Sequence, residues 1–168
     1  MDEADYIQLA YPSEPDWGSV SDAVLIRLVQ THSDEPSCAA SAICHLKARR
    51  HPQTESLCCD LLSGAKADPW LKADALGIFL NINPLLGFDK ALNSIDDCEF
   101  ELLEEIVVAL NYEFQGDLSA LVQSHQIVQR VKIRLLEHDP RLADYLPLFT
   151  ERFGKLEWLR FSGHLRRS

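Results

Sequence analysis

Two stretches of this chain align at an offset of 33 residues, and that offset limits the possible folds more than any other feature. Asp34–Leu46 lies over Ala67–Phe79, with Pro36 on Pro69, Ala39 on Lys72, Ala42 on Ala75, Ile43 on Leu76 and Leu46 on Phe79. A period of about 20 to 50 residues marks supersecondary units that stack on their neighbours, because one unit cannot bury its apolar face alone. The apolar residues within each copy recur three and four apart, so the unit is helical. Stacks of this kind work mainly as extended binding surfaces.

The same periodicity organises the rest of the chain. Residues 1–15, with Pro12 and Pro15, are expected to form an extended N-terminal arm, and residues 16–168 one helical domain. A first helix is expected from Asp16 or Ser19 to about His32, carrying Val20, Val24, Leu25, Leu28 and Val29. Asp34 is expected to cap the second, with Pro36 in its first turn, where the missing N–H costs nothing. Pro52 to Gly64 makes a third. Asp68-Pro69 repeats the cap-and-proline start, and Asn83-Pro84 separates the helix that follows from a shorter one through Leu92. Asp96 or Asp97 opens a helix with Phe100, Leu103, Val107, Leu110 and Phe114 at 3-4-3-4 spacing. A long helix to His138 and a C-terminal capping stretch from Pro140, kinked at Pro147, complete the expectation. No segment alternates as a strand does, so the fold is expected to be all-α with about seven or eight helices.

Asp68-Pro69-Trp70-Leu71-Lys72-Ala73-Asp74-Ala75-Leu76-Gly77-Ile78-Phe79 resembles the first helix of a HEAT-type repeat. Leu71 takes that pattern's aliphatic position, Lys72 the basic one, and Ala75-Leu76 the packing pair. Asp34–Leu46 matches more loosely because Ala39 replaces the basic residue, and Glu99–Leu110 is a degenerate third copy without the Asp-Pro. The resemblance covers about residues 19–138 and implies a short HEAT-like α-solenoid.

Charge narrows the partner. The net charge is −10, which opposes a nucleic-acid backbone and suits a basic protein, since complementary potentials raise association rates. Residues 1–35 carry a net −7 and residues 97–119 another −7, whereas residues 140–168 carry +3. The most acidic run, Asp97, Glu99, Glu101, Glu104, Glu105, Glu113 and Asp117, contains no Lys or Arg. With Phe100, Leu103 and Val107 facing inward, Glu101, Glu104 and Glu105 are expected on the solvent side, where carboxylates three and four apart repel. Trp70, directly after Pro69, is read either as an interface anchor projecting from the edge of the stack or as a half-buried staple between layers.

Catalysis finds little support. The six histidines are scattered, and Cys44-His45, as sequence neighbours on a helix, point to different faces. Nothing in the sequence buries one of Glu104 and Glu105 to separate their pKa values. No phosphate-cradling glycine loop, no metal-binding Cys/His cluster and no HExxH or GxSxG motif occurs, so neither cofactor nor metal is expected. Five cysteines, odd in number and without CxxC spacing, read as reduced thiols of a cytoplasmic protein. The longest apolar runs are too short to span a bilayer. These readings lead to a non-enzymatic binding module. Small size, acidity and a single helical domain are similar, in shape and charge alone, to immunity proteins that block a cognate bacterial toxin, nuclease inhibitors especially. An adaptor that holds a peptide or helix along the second helices, 52–64, 84–93 and 120–138, is the alternative expectation.

Overall fold

The computed structural model describes residues 2–31, 35–113, 125–136 and 140–154. Among the described residues every regular element is helical: α1 (Glu3–Ala10), α2 (Asp22–Gln30), α3 (Pro36–Ala48), α4 (Thr54–Ser63), α5 (Pro69–Ile82), α6 (Pro84–Leu92), α7 (Phe100–Val108), α8 (Gln126–Leu136) and α9 (Leu146–Phe153). A π-helical turn, Ala109–Glu113, extends α7, and a 3₁₀ segment, Pro140–Tyr145, precedes α9. The all-α expectation holds.

Several boundaries depart from the sequence reading for local reasons. The expected extended arm is the helix α1, started by a capping box in which Asp2 and Asp5 each accept the other's backbone N–H. Arg27 of α2 pairs with Asp2 at 2.5 Å and Asp5 at 3.3 Å, and the Gln8 amide donates to the carbonyl and hydroxyl oxygens of Thr31. Ser21 caps α2 rather than Asp16 or Ser19, and Glu35 caps α3. Glu35 is the residue that aligns with Asp68, so the two copies begin alike. Glu99 occupies the N-cap of α7 in place of Asp96 or Asp97. Pro147 sits in the first turn of α9 instead of kinking a longer helix. Helix α3 ends in a Schellman motif, with the N–H of His51 bonded to Leu46 and that of Arg50 to Lys47. Arg50 thereby takes a φ of 55°, a conformation glycine usually fills.

Helix α5 is buried over most of its circumference, leaving Trp70, Asp74, Asn81 and Ile82 exposed. Seven of its residues are buried. Leu71, Ala75, Ile78 and Phe79 join a core built with α1 to α4, whereas Leu76 and Leu80 join a second core with Phe88, Ile106, Val107, Val131 and Phe149. Gly87 lets α6 approach closely, since a Cβ there would meet Leu80 Cδ2 at 2.7 Å. On one side α5 lies against α3, on the other against α7. The first turns of α3 and α5 line one groove, and those of α5 and α7 line another. These three helices therefore run parallel in a row, with their N-termini along one edge.

Buried or half-buried cations tie the connections to this framework. Arg49 donates to the carbonyls of Trp17, Gly18 and Val20 and pairs with Asp22 at 2.6 Å. Arg134 donates to the carbonyls of Ile95, Asp96 and Cys98. Arg152 satisfies the π-turn carbonyls of Leu110 and Asn111 at 2.7 and 2.8 Å, and Lys132 donates to Phe153. Four basic side chains are thus spent on backbone carbonyls within the fold.

Candidate interaction surface

The edge formed by the N-termini of α3, α5 and α7 gathers negative charge because each helix starts on an acid. Glu35 accepts from the Ser37 N–H, Asp68 accepts from Trp70 and Leu71 at 2.9 and 3.4 Å, and Glu99 stands at the start of α7. An acidic residue at such a position is favoured by the helix dipole. The 33-residue offset repeats this arrangement from α3 to α5, and Glu99 stands 31 residues beyond Asp68 at the start of α7. Burial, reinforced by Glu35 and Glu14, pushes the Cys38 thiol near the start of α3 up to about 11.

Two depressions open along this edge, one on either side of the start of α5. The first, about 300 Å³, is bordered by Pro69, Lys72, Asp97, Cys98 and Glu99. The second, about 450 Å³, lies between α3, α5 and the chain just after α1, with Tyr11, Ser37, Ser41, Asp68, Trp70 and Asp74 in its walls. Trp70 is 64% exposed; Pro69 holds it in the first turn, where its ring projects from the edge instead of wedging between layers. Asp74, four residues on, shares its face. Although Asp74 is an exposed residue, the groove walls strip part of its hydration, and that desolvation raises its carboxyl pKa.

The expected acidic residues divide into two groups. Asp97 and Glu99 are exposed and lie on the same edge as Trp70. Glu101, Glu104 and Glu105 are each half-buried, against the expectation of a solvent face. The cause is that Leu102 and Ile106 are buried along with Leu103 and Val107, so α7 is covered on a wider arc than its 3-4 stripe implies. The 3₁₀ segment closes over one flank: the Tyr145 hydroxyl donates to Glu104 at 2.8 Å, and the Arg141 guanidinium lies 3.6 Å from the Phe100 ring centre. That hydrogen bond is the main reason the Tyr145 pKa is raised. On the other flank the Glu105 carboxylate occupies the space a Cβ of Gly77 would need. Glu113 ends the π turn, and Asp117 lies outside the described residues, as does the C-terminal stretch from 155.

Two members of the edge escaped the sequence reading. Asp74 was legible in principle, from its i+4 relation to Trp70. Tyr11 was not, since only the packing of α1 on α2 brings it there. Among the described residues no three His, Cys, Asp or Glu side chains come together as a metal site, and no helix is long and apolar enough to cross a membrane.

Asp74 has a consequence for stability. Its pKa is higher in the folded chain than in the unfolded one, so the ionised form opposes folding. Asp74→Asn is therefore expected to raise the melting temperature at pH 7, with the gain fading as pH falls below the ordinary aspartate range, where both states are protonated. Paired thermal melts at pH 7 and pH 3 check this; an unchanged or lower melting temperature at pH 7 contradicts it. Compared with protein-family models, curated proteins and solved structures, the chain matches none.

Proposed function

We propose that this protein is a non-enzymatic binding module, a short HEAT-like stack whose acidic edge engages a basic protein. The observation that carries the reading is the row of α3, α5 and α7, which sets Glu35, Asp68, Asp74, Asp97 and Glu99 along one edge beside an exposed tryptophan. Lys72 lines the smaller cleft beside Asp97 and Glu99, but arginines elsewhere are engaged internally: Arg49, Arg134 and Arg152 on backbone carbonyls, Arg27 on Asp2 and Asp5. A predominantly acidic surface with an aromatic anchor has the makings of an interface, because charge steers the encounter and the buried ring holds the complex.

Within that class, an immunity-type inhibitor of a basic cognate toxin is the sharper proposal, with carboxylates standing in for a substrate's phosphates and blocking the toxin's cleft. The site is centred on Asp97, Glu99, Glu101 and Trp70; Glu104 and Glu105 contribute field rather than direct contact, because each already has a neighbour within the fold. The adaptor reading draws on Ile82, Leu85 and Leu86, which are exposed at the junction of α5 and α6.

Simultaneous replacement of Asp97, Glu99 and Glu101 by lysine is expected to weaken binding to the product of the adjacent gene at least tenfold. Wild-type affinity should itself fall between about 50 and 300 mM salt, as surface steering is screened. Calorimetry at the two salt concentrations measures both effects, and growth with that neighbour expressed reads out protection. Undiminished affinity in the triple variant rejects the acidic edge. Loss of binding on replacing Leu85 and Leu86 by serine, with the acidic variant unaffected, favours the adaptor.

A further inference from the structure

We infer that the groove between α3, α5 and the segment after α1 is a receptor for a single arginine side chain of the basic partner, with Trp70 and Tyr11 supplying ring faces and Asp74 the counter-charge. This deepens the proposed function and rests on it for the nature of the partner. Three polar groups around the groove are unspent: among the described residues the Trp70 indole N–H, the Tyr11 hydroxyl and the Asp74 carboxylate have no hydrogen-bond or ion-pair partner. Among the described residues no Lys, Arg or His lines the groove. Exposed rings and a partly desolvated carboxylate leave it short of a cation, and a guanidinium satisfies both needs.

The chemistry favours arginine over lysine. A planar guanidinium stacks on an indole face while donating edge-on to a carboxylate, whereas an ammonium is a compact, strongly hydrated charge that does one of these less well. Ser37 and Ser41, one turn apart on α3, place hydroxyls on the opposite wall. Those hydroxyls accept the guanidinium's remaining N–H groups. Asp68 stays on its capping duty to Trp70 and Leu71 and fixes the ring's position.

The groove walls penalise an ionised aspartate by desolvating it. Docked guanidinium would remove that penalty.

The test uses the full chain and acetylated triarginine amide, with triornithine, trilysine and tricitrulline amides as comparisons, by calorimetry at about 50 mM salt. Triarginine is expected to bind saturably and at one site, with trilysine weaker and uncharged tricitrulline weakest. Trp70→Ala and Asp74→Asn should each lower triarginine affinity about two- to fivefold, and by more than Asp97→Asn with Glu99→Gln, which weakens only the surrounding field. Both groove positions are exposed, and circular dichroism and melting curves verify that the variants fold. Equal binding of tricitrulline, or equal losses from the groove and Asp97/Glu99 variants, overturns the assignment in favour of an apolar site or a diffuse field. A dimer in sedimentation that Trp70→Ala dissociates, without peptide binding, overturns it in favour of a second copy. Failure here, with the Asp97/Glu99/Glu101 variant still losing the partner, rejects the groove and leaves the acidic edge standing; the reverse pattern rejects the edge alone.

Discussion

Replacing Phe79 with alanine is expected to cost about 4 kcal/mol, the usual range for deleting a buried ring being about 3–5 kcal/mol. Phe79 has no accessible surface and belongs to the core shared by α1 to α5. Its helix also sends Leu76 and Leu80 into the other core. The cavity left by the ring lies next to the face that carries those leucines, so it loosens a helix that both cores require. Urea titration followed by far-ultraviolet circular dichroism should therefore show one transition moved to lower denaturant, with a similar slope. A loss below about 1.5 kcal/mol would mean that the surroundings collapse onto the void. Two separated transitions would mean that the cores are independent, contrary to the sharing of α5.

The second large effect is expected at Arg49. Its guanidinium donates to Trp17 and Val20, each at 2.8 Å, and to Gly18 at 3.2 Å, besides pairing with Asp22. Arg49→Met keeps most of the aliphatic packing but strands these carbonyls and removes a charge-assisted anchor. The side chain is 27% exposed, so water recovers part of the loss; the expected cost is about 2–3 kcal/mol. Trp17, only 8% exposed and stacked on His45, should become more accessible. Denaturation gives the first quantity and acrylamide quenching the second. Arg49→Lys should rescue only partly, because one ammonium cannot span carbonyls that a forked group reaches together. Full rescue by lysine would show that charge alone matters at this position.

What the sequence made legible was whatever depends on neighbours along the chain. Pro36 and Pro69 set the starts of α3 and α5, and the offset between them foretold that these helices would begin alike. The stripe through Leu103 and Val107 found the inner face of α7. The errors fall where a distant segment decides. Helix α1 is only eight residues long, too short to hold in isolation, and it depends on Arg27 and Thr31 of the neighbouring α2 region. Glu104 looked solvent-facing until the 3₁₀ segment, 41 residues further on, brought Tyr145 to it. The groove was half readable: Trp70 and Asp74 share a helix face by spacing, but Tyr11 arrives through tertiary packing. Asp34, offered as the cap of α3, lies outside the described residues, and its neighbour Glu35 has that role.

The parallel row of α3, α5 and α7 also imposes a metre on anything laid across it. Packed helices stand about 8–10 Å apart, and a polyproline-II segment advances about 3.1 Å per residue and returns to the same face every third one. Such a segment crossing the row at right angles would therefore drop every third side chain into successive furrows, the first beside Trp70 and the next beside Lys72 and Glu99. Such a ruler favours ligands with a three-residue rhythm, whatever their remaining sequence.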